Sequence, residues 1–112
     1  MSASRTERPN GVSAPVLRAE DLAQIDDGIR RAVQILSENG VETFESCQGG
    51  AGHAYPEPTV RFYGGPYAGW QAVSVCLSFG LPLASLRREW DILDQNEPTG
   101  PCWAVTFRER LC

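Results

Sequence analysis

Apolar residues recur in steps of three and four between residues 21 and 39, at Leu22, Ile25, Ile29, Ala32, Val33 and Leu36. That spacing predicts one amphipathic helix with a single apolar stripe turned to a core. Asp26 and Asp27 precede Arg30 and Arg31, an order that suits the helix dipole, and Asn39-Gly40 supplies a stop. Residues 41–47 read as a short strand and residues 48–53, Gln-Gly-Gly-Ala-Gly-His, as a loop. Pro56 and Pro58 hold the chain extended into a second strand at 59–63. After the break at Gly64-Gly65-Pro66, residues 67–79 predict a second helix with Ala72, Val75, Cys76 and Phe79 on one face. Gly80-Leu81-Pro82 ends it. Residues 84–93 read as a third strand and 94–100 as turns. Residues 102–110 read as a fourth strand, with Trp103, Val105 and Phe107 alternating against Ala104, Thr106 and Arg108.

The order is αββ–αββ. Gly40 and Gly80 each follow a helix that ends near a Leu-Ser pair, Leu36-Ser37 and Leu77-Ser78, which hints at a duplicated half. The economical packing is α+β: two helices on one face of a four-stranded, mostly antiparallel sheet, whose other face meets solvent or a partner. Trp90 is expected buried on its strand, and Trp70 and Trp103 in the core or at its rim.

A chain of 112 residues fits one domain, and 42% apolar residues suffice for its core. Residues 1–15, rich in Ser and Pro, read as a flexible arm, with the domain spanning 16–112. No run approaches the ~20 apolar residues of a membrane span, and the polar N-terminus lacks a secretory apolar stretch, so a cytoplasmic location without membrane partners is expected. All ten basic residues are Arg, which a GC-rich genome explains as well as phosphate recognition does. A net charge of −4 argues against a nucleic-acid partner. The four cysteines form no CxxC pair and there is one His, so no metal, zinc included, and no cofactor is expected, and the thiols are read as reduced.

Candidate chemistry gathers between Ser46 and Tyr63. Backbone N–H groups of Gly49, Gly50 and Gly52 in a tight turn can converge on an anion, with Ser46 adding a hydroxyl and Arg61 a bidentate cation. The competing reading is a hairpin connection in which the glycines only relieve strain. The segment lacks the Gly-Lys-Ser/Thr ending of a phosphate-binding P-loop. Cys47 and His53 form a candidate thiolate pair, with the alternative that Cys47 packs under the loop. By strand alternation Glu45, Arg61 and Tyr63 share the face away from the helices, either as a recognition face or as cross-strand ion pairs.

The run Gly40-Val-Glu-Thr-Phe-Glu-Ser-Cys-Gln-Gly, with Glu97-Pro-Thr-Gly-Pro downstream, resembles a class of small bacteriophage and actinobacterial proteins. The resemblance spans about residues 20–110. It implies a phage or prophage setting, with host cytoplasm as the location, and brings no assigned activity. Ser46, Cys47 and Gly49 also resemble the Ser-Cys-x-Gly motif of wybutosine-synthesis methyltransferases. Gly50 stands where that motif has a basic residue, and the tRNA activity is not carried over to this acidic chain.

The leading expectation is a binding module, not an enzyme. Its ligand set is Ser46, Cys47, Gly49, Gly50, Gly52, His53, Arg61 and Tyr63, taking a small anionic ligand or a host protein. The alternatives are a small cysteine-dependent or transfer enzyme using Cys47 with His53, and a phage antagonist of a bacterial defence system. A homodimer through the exposed sheet face or the last strand's edge is a further expectation.

Overall fold

A computed structural model of the chain describes residues 18–111. The arm assigned to residues 1–15, residues 16–17 and Cys112 lie outside the described residues. The elements are α1 (Ala19–Ala23), α2 (Asp27–Glu38), β1 (Glu42–Cys47), β2 (Thr59–Tyr63), α3 (Ala68–Ser78), β3 (Leu83–Glu89) and β4 (Cys102–Phe107). The strands form one antiparallel sheet in the order β1-β2-β4-β3. This is the α+β architecture that the apolar pattern predicts, with an additional short first helix. No described helix is long and apolar enough to cross a membrane.

The single helix expected over residues 21–39 is two. Gln24 to Asp26 interrupt it, and Asp26 takes an extended conformation (φ −52°, ψ 139°) before α2 begins. Arg30 secures the break: Nε donates to Leu22 O at 2.8 Å and Nη2 to Ile25 O at 2.6 Å, tying the end of α1 and the interruption to α2. Periodicity carries across this step because Leu22 and Ile25 stay half-buried beside α2. The third and fourth strands are shorter than the apolar pattern suggested, ending at Glu89 and Phe107. Trp90 therefore falls outside β3 and is exposed, and Trp70 projects from α3 into solvent; neither is a core residue.

The core lies between the sheet and the two longer helices. Ile29, Ala32, Val33 and Leu36 of α2 and Ala72 and Cys76 of α3 meet Val60, Phe62, Val105 and Phe107 of the central strands. Both helices end in the same way. Gly40 (φ 86°) and Gly80 (φ 70°) take the left-handed conformation that glycine tolerates, and the next amides reach back, Val41 N to Leu36 O and Leu81 N to Cys76 O.

The strand pairing repeats too. Thr43 opposite Phe62 and Glu45 opposite Arg61 flank a bulge in β1; Leu83 opposite Phe107 and Ser85 opposite Thr106 flank one in β3. On this correspondence Val60 matches Val105, and these two residues pair with each other across β2 and β4. The pairing has the symmetry of a twofold passing through Val60 and Val105, relating α2-β1-β2 to α3-β3-β4.

Cys76 is fully buried, and burial pushes its thiol from the ordinary 9.0 up to about 11. The folded state holds this proton more tightly than the unfolded chain. Its stabilising effect is complete below pH 9 and is lost as pH rises toward 11. The loss amounts to roughly 3 kcal/mol. Urea unfolding at intervals from pH 8 to about pH 11 should show this decline in the native protein and a shallower one in Cys76→Ala. Equal slopes would remove Cys76 as the cause.

Candidate functional site

The eight residues assigned to a ligand site do not converge. Ser46 stands opposite Val60 on the helix-facing side of β1 and lines a cavity of about 170 Å³ with Ile25, Val33 and Thr43. Cys47 stands opposite Thr59 on the other side and is buried. The loop glycines extend from the end of β1, whereas Tyr63 lies at the far end of β2, beside Glu42.

The loop itself is fixed from both sides. Gln48 Oε1 accepts from Gly28 N at the start of α2 (3.0 Å), and Arg110 Nη2 donates to Gly49 O (2.6 Å). Gly49, Gly50 and Gly52 all have positive φ, at 82°, 108° and 81°. The amides of Gly49, Gly50 and His53 have acceptors within the loop and its flanks. Gly49 N donates to Cys47 Sγ, Gly50 N to Tyr55 O and Pro56 O, and His53 N to Gly50 O. Cys47 thus packs under the loop, the alternative that its sequence left open. His53 turns elsewhere: its Nε2 is 3.5 Å from Gln48 Nε2 and its Nδ1 3.8 Å from Asp26 Oδ2. Among the described residues no hydrogen bond joins Cys47 to His53.

Arg61 serves a different set of partners. It is buried in the middle of the sheet face opposite the helices, only 7% exposed. Nη1 donates to Glu45 Oε1 at 2.7 Å, and Nη2 reaches both oxygens of Asp91 at 2.8 and 2.9 Å and Cys102 Sγ at 3.1 Å. Nε is 3.2 Å from Glu89 Oε1, within ion-pair distance, but its N–H is not aimed at that oxygen and has no hydrogen-bond partner. Phe44 lies 5.2 Å from the guanidinium carbon and stacks on Tyr63 at 4.2 Å.

Burial opposes the Arg61 cation, but the hydrogen bonds to Glu45 and Asp91 outweigh it and hold its pKa above the usual arginine value. Burial likewise raises the Cys102 thiol, against the pull of Arg61. Tyr55, which donates to Glu45, is raised by burial and by that carboxylate. Three carboxylates, on Glu45, Glu89 and Asp91, already surround Arg61.

The face around Arg61 is not the open, solvated face that two helices on a sheet would leave. Tyr55 and Glu57 from the first hairpin connection reach Glu45 and Arg87, and Asp91 from the second reaches Arg61. Ala104 sits between Arg61 and Arg87 in the register and is fully buried. Sequence alternation places Glu45 beside Arg61. Glu89, Asp91 and Cys102 were not legible as partners, because they come from the other hairpin and only the β2–β4 pairing brings them in.

A cavity of about 380 Å³ opens where α2 ends, β2 ends and α3 begins, lined by Gly40, Val41, Tyr63, Gly65, Tyr67 and Gln71 among others. Its floor is held by the second half of the chain: Arg88 Nη1 donates to Gly64 O and Trp103 Nε1 to Gly65 O, both at 3.0 Å. Arg88 in turn lies over the Trp103 ring at 4.4 Å. Gly69 packs so closely on Trp103 that a Cβ there would come within 2.8 Å of the ring. Tyr63, half exposed with its ring stacked on Phe44, and Tyr67, 83% exposed, are among the lining residues.

These features define a two-half α+β domain with a tied polar cluster on one face and an aromatic cleft at one end. Comparison of the chain with protein-family models, with curated proteins and with solved structures gave no match.

Proposed function

We propose that the chain is a small binding module that takes a segment of a protein partner in the cleft between Tyr63 and Tyr67. In the phage setting that the sequence resemblance implies, that partner is a host protein. The observation that carries this reading is the cleft's construction. Tyr67, 83% exposed, lines a recess of about 380 Å³ together with the chain at Tyr63, and its glycine floor is pinned by Arg88 and Trp103. Recesses of that volume, preformed and lined by aromatic side chains with a few polar groups, are the usual form of ligand sites. Tyrosine contributes a large amphipathic contact area at little entropy cost, which is why it concentrates at binding surfaces. Gln71 and backbone groups around Gly40 supply polar partners for a peptide.

A protein segment is favoured over a small anion because the amides of Gly49, Gly50 and His53 donate internally and Arg61 is neutralised by Glu45, Glu89 and Asp91. Panning a random linear peptide library on the full chain tests the reading. Selected peptides should bind Tyr63→Ser about tenfold more weakly than the native chain, with Trp70→Glu changing affinity less than about twofold. No enrichment over a blank surface, or equal binding by Tyr63→Ser, would overturn it.

A further inference from the structure

The connection between β3 and β4 is a small hairpin that holds apolar side chains out in solvent. Trp90, Ile92 and Leu93 are 54%, 64% and 52% exposed. Loop tips ordinarily carry small and polar residues. This projection is ordered from base to tip. Ile92 bridges Pro98, Leu93 N donates to Glu97 O at 2.8 Å, and Asn96 N donates to Leu93 O at 2.9 Å. Thr99 N donates to Asp91 O at 2.8 Å and Asp91 N to Thr99 Oγ1 at 3.0 Å. At the base, Arg61 Nη2 donates to both Asp91 oxygens, at 2.8 and 2.9 Å. Ile92 and Leu93, with Asp94, Gln95 and Glu97, line a recess of about 510 Å³.

We propose that this hairpin docks a basic, amphipathic segment of a partner protein. Apolar side chains of that segment cover Trp90, Ile92 and Leu93, and its cationic side chains meet Asp94 and Glu97.

Local charge selects the occupant. From residue 89 to residue 107 the chain carries four carboxylates, on Glu89, Asp91, Asp94 and Glu97, and no Lys or Arg. Arg61 already takes Glu89 and Asp91. Asp94 and Glu97 make no ion pair among the described residues, and both line the recess. Apolar groups bordered by unpaired carboxylates complement a segment that carries apolar and cationic side chains together. The Trp90 indole adds to the match, since its face attracts a cation within about 6 Å of the ring centre. The same carboxylates repel other occupants. A second copy would bring two acidic hairpins together, and a nucleic acid or an anionic membrane would set phosphates against them.

Order favours binding as well. The bonds across the hairpin fix its shape before a partner arrives, so docking costs less conformational entropy. The buried Arg61 is then the anchor of a docking loop. The inference does not rest on the tyrosine cleft, which shares no lining residue with this recess.

Fluorescence anisotropy on the full chain, with a labelled amphipathic peptide of Arg and Leu, tests it. Two control peptides of equal length carry Glu for Arg or Ser for Leu. The Arg-Leu peptide should bind with a Kd on the order of 100 µM or tighter at low salt, and each control at least about tenfold more weakly. Ile92→Ser with Leu93→Ser, both at exposed positions, should weaken binding about fivefold with unchanged far-ultraviolet dichroism. Asp94→Asn with Glu97→Gln should weaken it about threefold, whereas Glu20→Gln with Glu38→Gln, which removes as much charge elsewhere, should change it less than about 1.5-fold. Arg5→Ser with Arg8→Ser should leave it unchanged. No binding at about 1 mM peptide would overturn the proposal. So would equal binding of the Ser control, or equal losses from the two carboxylate pairs. Tighter binding by the Arg5 and Arg8 variant would show the chain's own N-terminal arginines competing for the hairpin, and would overturn a partner protein as its occupant.

Discussion

Arg61→Ala is expected to lower the unfolding free energy by about 3 kcal/mol, a large share of the 5–15 kcal/mol typical of a domain. Three carboxylates, on Glu45, Glu89 and Asp91, then face one another with no cation between them. Removing one member of a buried charge cluster costs more than the cluster contributes, because the remaining charges stay desolvated. The figure belongs at the low end of that range. Glu45 and Asp91 are partly exposed at their side chains, 38% and 57%, and turn toward water once released. The second source of loss is mechanical: Asp91 anchors the connection after β3 onto the first half of the sheet through Arg61 alone among the described pairs.

Thermal unfolding should register this as a fall in Tm of roughly 12–24 °C. Arg61→Lys should recover little, since an ammonium does not reproduce the fork that meets Glu45 and both Asp91 oxygens at once. Adding Glu45→Gln and Asp91→Asn to Arg61→Ala should restore at least half of the loss. A loss below about 1 kcal/mol in Arg61→Ala would mean that the cluster is no more than a surface ion pair.

The cluster also shows where sequence reading stops. The period-two pattern of β2 places Val60 and Phe62 on one face and Arg61 on the other, and all three are found there. The same rule puts Glu45 beside Arg61 once β1 pairs with β2. Both are local inferences across one hairpin. The burial of Arg61 depends instead on how the two hairpins join, and nothing in the spacing of residues 42–63 encodes a pairing with residues 102–107. Trp90 fails for a related reason. Its strand ends one residue earlier, at Glu89, so that Asp91 can turn back to Arg61, and the tryptophan is left outside the ladder.

The glycine loop was legible as a loop, but the acceptors that its amides meet were not. Glycine density announces positive φ, and all three positions have it. Which way the amides point is set by Tyr55, Pro56 and Arg110, residues with no sequence mark of that role. The helix-ending Gly40 and Gly80, by contrast, carried more than their isolated motif suggested. The bulges, the cross-strand partners and the two helix ends all repeat around Val60 and Val105. Within that repeat Glu45–Arg61 in one half corresponds to the Ser85–Thr106 hydroxyl pair, 2.6 Å apart, in the other. The ionic cluster is therefore an asymmetry between otherwise matching halves.

Gly49 and Gly52 separate a structural glycine from a permissive one, and their alanine variants should differ by more than about 2 kcal/mol. Both have φ near 80°, so each alanine bears the ~1–2 kcal/mol cost of the left-handed region. At Gly52 nothing else lies within 4 Å of an added Cβ, and the cost stops there. At Gly49 a Cβ would come 2.5 Å from the Glu57 carbonyl carbon, 2.6 Å from Pro58 N and 2.9 Å from Glu57 Cα. These are backbone atoms and cannot rotate aside. Relief requires moving the Glu57-Pro58 segment, whose Pro58 O accepts from Phe107 N at 2.9 Å at the edge of the β2–β4 pairing. Gly49→Ala should thus cost at least about 3 kcal/mol in urea unfolding and strip hydrogen-exchange protection from the Phe107 amide. Gly52→Ala should cost about 1 kcal/mol and leave that amide protected. Equal costs would mean that Gly49 is not packed against the chain that follows it, and the loop would again be free to cradle a ligand.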